Sequence, residues 1–395
     1  MSAVVVFIIF AICLIIAIPI SISLGIVAVL PGAFDASFTA SAGYVIRSMV
    51  GGIDSFPLLA VPMFVLAGIL MAHGKISEKL FDVFVYFLGN KRAGIPCAVI
   101  ITCLFYGAIS GSAPATVAAV GSMTIPLLIE LGYEKDFSTA IVAVAGGLGV
   151  IIPPSIPFIM YAMATGESVS DLFLAGIVPG MMISALLIFY AYYYCRRHGE
   201  DREKIQAKMD QLKTKGFVNI LKESIWALLS PVIVLGCIYS GVASPTEAAV
   251  ISVFYSLFVS LFIYKSIKVK QIWGIMVEAM KTYAPILFIL ATSTAFSRVL
   301  TLMQVPQDVS AWIMTHFSNE IVLLLVINVV LLIVGMVMDT TPAILILSPI
   351  LLPIVEHVGM NPIHFGVMVI VNLAVGFVTP PASTCLWQVR LPMCR

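Results

Sequence analysis

Apolar stretches near 20 residues long recur from one end of this chain to the other. Candidate spans are 3–30, 56–72, 94–109, 138–152, 172–195, 225–242, 247–264, 283–303, 321–338 and 363–378. A helix crossing a bilayer needs about 20 such residues, because lipid satisfies no backbone hydrogen bond and the helix must satisfy its own. The pattern therefore predicts an all-α polytopic membrane protein. Of 395 residues 61% are hydrophobic and only 10% charged, with a mean hydropathy of +1.10. Such a composition excludes a soluble enzyme, a disordered chain and a coiled coil. A net charge of +1 offers no basic patch for nucleic acid. The seven cysteines, at 13, 97, 103, 195, 237, 385 and 394, have no metal-ligand spacing and read as small buried hydrophobes.

Basic residues orient the spans. The polar insert 196–222 carries Arg196, Arg197, Arg202, Lys204, Lys208, Lys213, Lys215 and Lys222, and is expected in the cytoplasm. Lys265, Lys268 and Lys270 mark a second cytoplasmic segment, and Lys75, Lys79, Lys91 and Arg92 a third. Segments 243–246 and 304–320 lack Lys and Arg and are expected outside. Stretch 3–30 is read as structural rather than a cleaved leader, with Pro19 as the point where it kinks or splits. Segments 77–90 and 268–283 are amphipathic and are expected to lie along the interface.

Shorter apolar pieces at 116–129, 156–165 and 342–355 suit re-entrant or broken helices. They belong to an internal repeat. Pro126, Gly132, Gly149, Pro153 and Pro154 recur 227 residues later as Pro353, Gly359, Gly376, Pro380 and Pro381. Pro114 and Pro342 match with one residue of slack. Each half runs from an apolar segment to a small polar cluster, a shorter apolar segment, a glycine turn, another apolar segment and a Pro-Pro break. Paired Gly/Pro-interrupted segments of this kind point to the site of a secondary transporter.

The clusters are Ser110-Gly111-Ser112-Ala113-Pro114-Ala115-Thr116 and Asp339-Thr340-Thr341-Pro342-Ala343. They are expected at the tips of two re-entrant hairpins. The breaks, 149–155 and 376–381, are expected in the unwound middle of the following helix. Proline removes a donor and frees nearby carbonyls. Free carbonyls with Ser and Thr hydroxyls make an oxygen cage suited to Na+, and half-helix N-termini suit a carboxylate. The cation ligands expected are Ser110, Gly111, Ser112, Gly149 and Pro153 in one half, and Asp339, Thr340, Gly376 and Thr379 in the other. Ser112, Pro114, Thr116, Ser155 and Thr341 are expected to face the substrate. Asp339 can also cap the helix over 342–355. Arg298 either pairs with a substrate carboxylate or snorkels or pairs with an acid at the outer end of its span. Glu247 after Ser244-Pro245-Thr246, and Asp54 before Ser55-Phe56-Pro57, read as helix entries. HExxH, GxSxG and Walker motifs are missing from the sequence, so no enzyme is predicted, no cofactor is called for, and pumping must draw on an ion gradient.

The segments Phe56-Pro57-Leu58-Leu59-Ala60-Val61-Pro62-Met63-Phe64, Gly107 to Ala113, Gly149 to Ser155, Ala243 to Ala249 and Met338 to Pro342 resemble the large membrane subunit of tripartite ATP-independent periplasmic (TRAP) transporters. The resemblance covers residues 1 to about 381. It implies an elevator-type transporter with two inverted repeats, each holding a re-entrant hairpin and a broken helix, in a bacterial inner membrane. It implies Na+-coupled import of a small organic acid, of the C4-dicarboxylate, sialic acid or 2-oxo acid class. Its partners would be a small membrane subunit and an extracytoplasmic substrate-binding protein, besides the organic anion and membrane lipid. A stand-alone Na+/organic anion symporter and an ion channel are the rival readings. The expected division is 1–92 scaffold and interfacial arm, 93–171 first transport repeat, 172–282 scaffold with a second arm, and 283–381 second transport repeat. The tail 382–395 departs from the family. Under one choice of codons, 384–394 read two bases later gives an apolar stretch of the family kind. A frameshift after about Pro381 is therefore expected to have replaced the family's last helix.

Overall fold

A computed structural model describes residues 3–34, 38–214, 216–316 and 319–379. Long apolar runs make the helices, and glycine ends several of them, as Gly74, Gly111 and Gly166 do. Stretch 3–30 splits as expected, into α1 (Ala3–Ile15) and α2 (Ile20–Phe34). Ala17 takes a positive φ of 62° between them, and Ile18 N–H closes onto the Cys13 carbonyl at 3.0 Å. Helix α3 (Ala42–Ile53) follows, then a 3-10 turn at Phe56–Leu59 that runs into α4 (Ala60–His73). Asp54 closes the end of α3, donating its N–H to the Val50 carbonyl, instead of opening the next helix. Left-handed Lys75 turns the chain into α5 (Ile76–Leu88), whose Leu80, Phe81 and Val85 are buried against α6 (Gly94–Ser110) and α12 (Phe217–Tyr239).

The first half continues through α7 (Ala113–Glu130), α8 (Lys135–Gly146), a 3-10 turn over Gly147–Val150 and α9 (Ile156–Thr165). Helix α10 (Val169–His198) leads to the polar α11 (Arg202–Thr214), which buries Ile205 and Met209. After α12 comes α13 (Pro245–Phe258), opened by a capping box in which Ser244 and Glu247 satisfy each other's backbone N–H. Helix α14 (Val269–Leu302) is one 34-residue helix, about 50 Å long at 1.5 Å per residue. The separate arm expected over 268–283 is thus continuous with its span. Pro285 does not break it, because the carbonyl it strips of a donor, on Lys281, sits in an exposed polar turn. Helices α15 (Val305–His316), α16 (Glu320–Val337), α17 (Thr340–His357) and α18 (Pro362–Val378) complete the described chain. Pro380, Pro381 and the atypical tail, with Cys385 and Cys394, lie outside the described residues.

The architecture is all-α, and eight helices among the described residues are long and apolar enough to cross a membrane. Backbone geometry repeats at the spacing the prolines announced. Helices α7 and α17 are both 18 residues long and start at 113 and 340. Gly132 and Gly359 both take positive φ, +92° and +78°. The turns they form close with Tyr133 N–H on Leu128 O and Met360 N–H on Val355 O, each at 3.0 Å. The repeat is wider than the sequence showed. Shifted by the same interval, the start of α3 falls on the start of α14, and α2 overlaps α13. Packing follows: α2 lies against α14 as α13 lies against α4.

Two large apolar clusters form the interior. One surrounds α6, α7 and α8; the other joins α4 and α9 to α17 and α18. Helix α9 thus leaves the half it belongs to. It packs on α17 and α18, where Tyr161 donates its hydroxyl to the Pro362 carbonyl at 2.7 Å. Gly366 makes room for that ring, since a Cβ there would come within 2.5 Å of it.

Candidate functional site

The first polar cluster sits where α6 turns into α7. Gly111 caps α6 in the left-handed region (φ 60°), and extended Ser112 starts α7. Opposite them α8 ends, the chain passes through the 3-10 turn and prolines 153 and 154, and α9 begins. The break docks onto the tip: Ile156 N–H donates to the Gly111 carbonyl at 3.2 Å. Within this contact the Ser110 and Thr116 hydroxyls lie 3.0 Å apart, and Thr116 donates to the Ser112 carbonyl at 2.8 Å. Ser155 donates to the Val150 carbonyl at 2.6 Å. Ser110, Thr116 and Ser155 are at most 2% exposed.

Gly149 brings the break this close. A Cβ there would stand 2.6 Å from the Thr116 hydroxyl and 3.0 Å from the Ser112 carbonyl oxygen. Behind it, a Cβ on Gly107 would meet the Gly149 Cα at 2.6 Å. The result is a buried group of hydroxyl and carbonyl oxygens with no carboxylate in it. Hard monovalent cations are held by such oxygens, and the known transition-metal ligands are not there. No group of three His, Cys, Asp or Glu side chains able to hold a metal occurs among the described residues. The structure thus brings together Ser110, Gly111, Ser112, Thr116, Gly149 and Ser155. Pro153 lies between Gly149 and Ser155 in the same break, and half-buried Pro114 occupies the first turn of α7.

The second tip is built differently. Asp339 caps α17, its Oδ1 accepting from Thr340 N–H at 2.6 Å and from the Thr340 hydroxyl at 3.2 Å. Thr340 and Thr341 are buried, while Asp339 is exposed. Helix α18 crosses α16 at a paired glycine contact, Gly376 on Gly335, where a Cβ on Gly376 would meet the Gly335 Cα at 2.8 Å. Thr379 ends α18 and donates its hydroxyl to the Val375 carbonyl at 2.7 Å. No hydrogen bond among the described residues joins Gly376 or Thr379 to Asp339 or Thr340, and Pro380 and Pro381 lie outside those residues. Alongside, Asn372 donates to the Asn328 side chain at 2.6 Å and ties α18 to α16. That amide pair has no counterpart in the first half and no sequence signal singled it out.

Arg298 lies in the last turns of α14 and lines a cavity of about 270 Å3 that also touches α3, α9 and α17. It forms no ion pair among the described residues. At the base of the first hairpin a polar hub joins the α10–α11 linker to the turns beside α6 and α7. Glu200 Oε1 accepts from Ala93 N–H at 3.0 Å and from the Tyr133 hydroxyl at 2.7 Å, and Oε2 binds Arg202 at 2.9 Å. Burial, and then the Glu200 carboxylate beside it, push the Tyr133 phenol well above its ordinary range.

Comparison with known proteins places this arrangement. The family described as "Tripartite ATP-independent periplasmic transporter, DctM component" matches residues 7–390. The chain is 42% identical over 378 residues to the isethionate TRAP transporter permease protein DctMQ of Oleidesulfovibrio alaskensis. That match covers 96% of this chain, which spans 58% of the relative's length. It is 39% identical to the C4-dicarboxylate TRAP transporter large permease protein DctM of Pseudomonas aeruginosa, over 85% of this chain and 77% of that one. In fold it is similar to the crystal structure of the Alcanivorax borkumensis YdaH transporter, with a TM-score of 0.60 at 14% identity, covering 98% of this chain and 91% of that one.

Proposed function

This chain belongs to the DctM component family of tripartite ATP-independent periplasmic transporters, and from that premise we propose that it is the large permease subunit of a Na+-coupled importer of a small organic acid. It is a multi-pass membrane protein, and in this reading it works in the inner membrane of a bacterium with a small membrane subunit. An extracytoplasmic binding protein delivers the anion. The observation carrying the reading is the buried oxygen cluster at the first tip, where Ser110, Thr116, the Ser112 carbonyl and Gly149 converge.

A cation there would take oxygens of Ser110, Gly111, Ser112, Gly149 and Pro153, with Thr116 assigned to the same cluster because it is fully buried inside it. The second cation would use Asp339, Thr340, Gly376 and Thr379. The substrate carboxylate would lie between the tips, near Ser112, Pro114, Ser155 and Thr341. Both hairpins enclose it, charge is neutralised, and the transport repeats move as a body against the remaining helices. Relatives named for isethionate and C4-dicarboxylates support a short organic acid as cargo.

The test is uptake of labelled isethionate and succinate into vesicles holding this chain, its small subunit and a binding protein. Uptake is expected to be saturable and to rise with an inward Na+ gradient. Indifference to Na+ would overturn the coupling. Uptake without any binding protein would favour a stand-alone symporter, and steady unsaturable current a channel.

A further inference from the structure

The Arg298 cavity is not part of either tip. It lies between α3 and α14 on one side and α9 and α17 on the other. Its α17 wall is Leu345 and Pro349, about 8–14 Å along that helix from its start at the tip. Glycine shapes the opposite wall. A Cβ on Gly52 would meet Thr294 at 2.7 Å, and one on Gly51 would come 3.8 Å from Arg298 Nη1. Polar groups line it besides the guanidinium: Ser55, Thr294 and Ser297. Two further hydroxyls, Ser293 on α14 and Ser348 on α17, are fully buried without a hydrogen-bond partner. They are sequence neighbours of Thr294 and Pro349.

Arg298 is exposed at the edge of this cavity, so its guanidinium is open to an entering ligand. Here the charge lies against α3, at Gly51, and no carboxylate among the described residues pairs with it. An oxyanion supplied from outside would complete it, and the planar fork of Arg fits a carboxylate or sulfonate with two hydrogen bonds. The cavity volume, about 270 Å3, lies below the range of about 300–1,000 Å3 for drug-sized ligands. It suits an acid of two to four carbons better than a sugar acid. Helix α14 starts beside Lys265, Lys268 and Lys270. By the positive-inside rule its far end, with Arg298, faces the extracytoplasmic side.

We propose that this cavity is an extracytoplasmic capture site for a short-chain carboxylate or sulfonate, held by Arg298 with the Ser55, Thr294 and Ser297 hydroxyls before it moves to the second hairpin tip. The identity of the anion rests on the permease reading; the site itself does not.

The experiment labels a cysteine placed in the cavity, Ser297→Cys, in right-side-out vesicles holding the assembled transporter, with the unmodified chain as the blank. Anionic sulfonatoethyl and cationic trimethylammonioethyl methanethiosulfonates are compared. A cleft carrying one unpaired positive charge is expected to favour the anionic reagent about tenfold. Millimolar isethionate or succinate is expected to slow the labelling, and Arg298→Gln to abolish both effects. Gly51→Leu, which fills the cavity and keeps the arginine, is expected to abolish protection alone. Equal rates for the two reagents, no reaction with either, or protection by anionic lipid but not by soluble acids would each overturn the proposal. Labelling needs no turnover, so a failure of Na+-driven uptake is read separately.

Discussion

Replacing Gly149 by alanine adds one methyl at the most crowded point of the site. Its carbon would stand 2.6 Å from the Thr116 hydroxyl, 3.0 Å from the Ser112 carbonyl oxygen and 3.2 Å from the Ser112 carbonyl carbon. Non-bonded heavy atoms prefer roughly 3.5–4.0 Å. The break cannot retreat, because Gly107 already lies against the Gly149 Cα. The α6–α7 tip must therefore move, and overpacking of this kind costs about 1–3 kcal/mol. Moving the tip separates the oxygens that the cation is proposed to bridge. If that strain is expressed against cation binding, half-saturating Na+ rises about 5- to 150-fold, at tenfold per 1.4 kcal/mol. The assay is initial uptake against Na+ concentration in vesicles, alongside thermal unfolding of the purified chain in detergent. Gly236→Ala is the control, since a Cβ there meets nothing within 4 Å, and its Na+ dependence is expected to match the unmodified chain. A Gly149→Ala permease with unchanged Na+ dependence and unfolding temperature would show that tip and break are not held together by this contact.

Asp339→Asn separates charge from capping. Asparagine caps a helix as well as aspartate does, so unfolding is expected to be unchanged while cation dependence weakens; identical kinetics would remove Asp339 from the site. Asn372→Leu strips the Asn328 side-chain oxygen of its 2.6 Å partner and is expected to cost about 0.6–2 kcal/mol. The unfolding temperature measures it, and the double change with Asn328→Leu is expected to recover part of the loss. Glu200→Ala leaves the Ala93 N–H and the Tyr133 hydroxyl without their shared acceptor. Trypsin is then expected to cut the 202–215 region faster, and an unchanged cleavage rate would mean that the hub does not anchor the linker.

Proline and glycine spacing made the two tips, their returning helices and the first break legible before any coordinates. These residues act on backbone geometry directly: glycine, lacking a Cβ, takes without strain the positive φ that the turns at 132 and 359 require. The apolar runs gave the long helices for the same local reason. What was not legible depends on partners distant in the chain. Helix α3 is short, and its glycines gain meaning only from Thr294 and Arg298 on α14. Helix α11 is mostly polar, and Ile205 with Met209 is too thin a stripe to read without the surface it covers. The division expected near 283 does not occur, because Pro285 lies inside α14 and the carbonyl it frees is on exposed Lys281. Thr116 was expected to face the substrate, and its burial beside Gly149 is set by a residue 33 positions away. The wider repeat escaped notice because α3 and α4 are two helices around Phe56-Pro57 where the second half has one.

Helix α9 gives the two halves a thermodynamic link. It starts at the residue after Ser155, in the first oxygen cluster, and ends packed against α17, the helix that Asp339 caps. An occupant of the first cluster that shifted α9 would shift a strut on which the second hairpin rests. Linkage of this kind is reciprocal. If the proposed cation and anion sites are coupled through α9, the factor by which the cation tightens the anion must equal the factor by which the anion tightens the cation. On the proposed reading each ligand keeps its own affinity when alone, and that affinity is raised by this one shared factor when the other is bound.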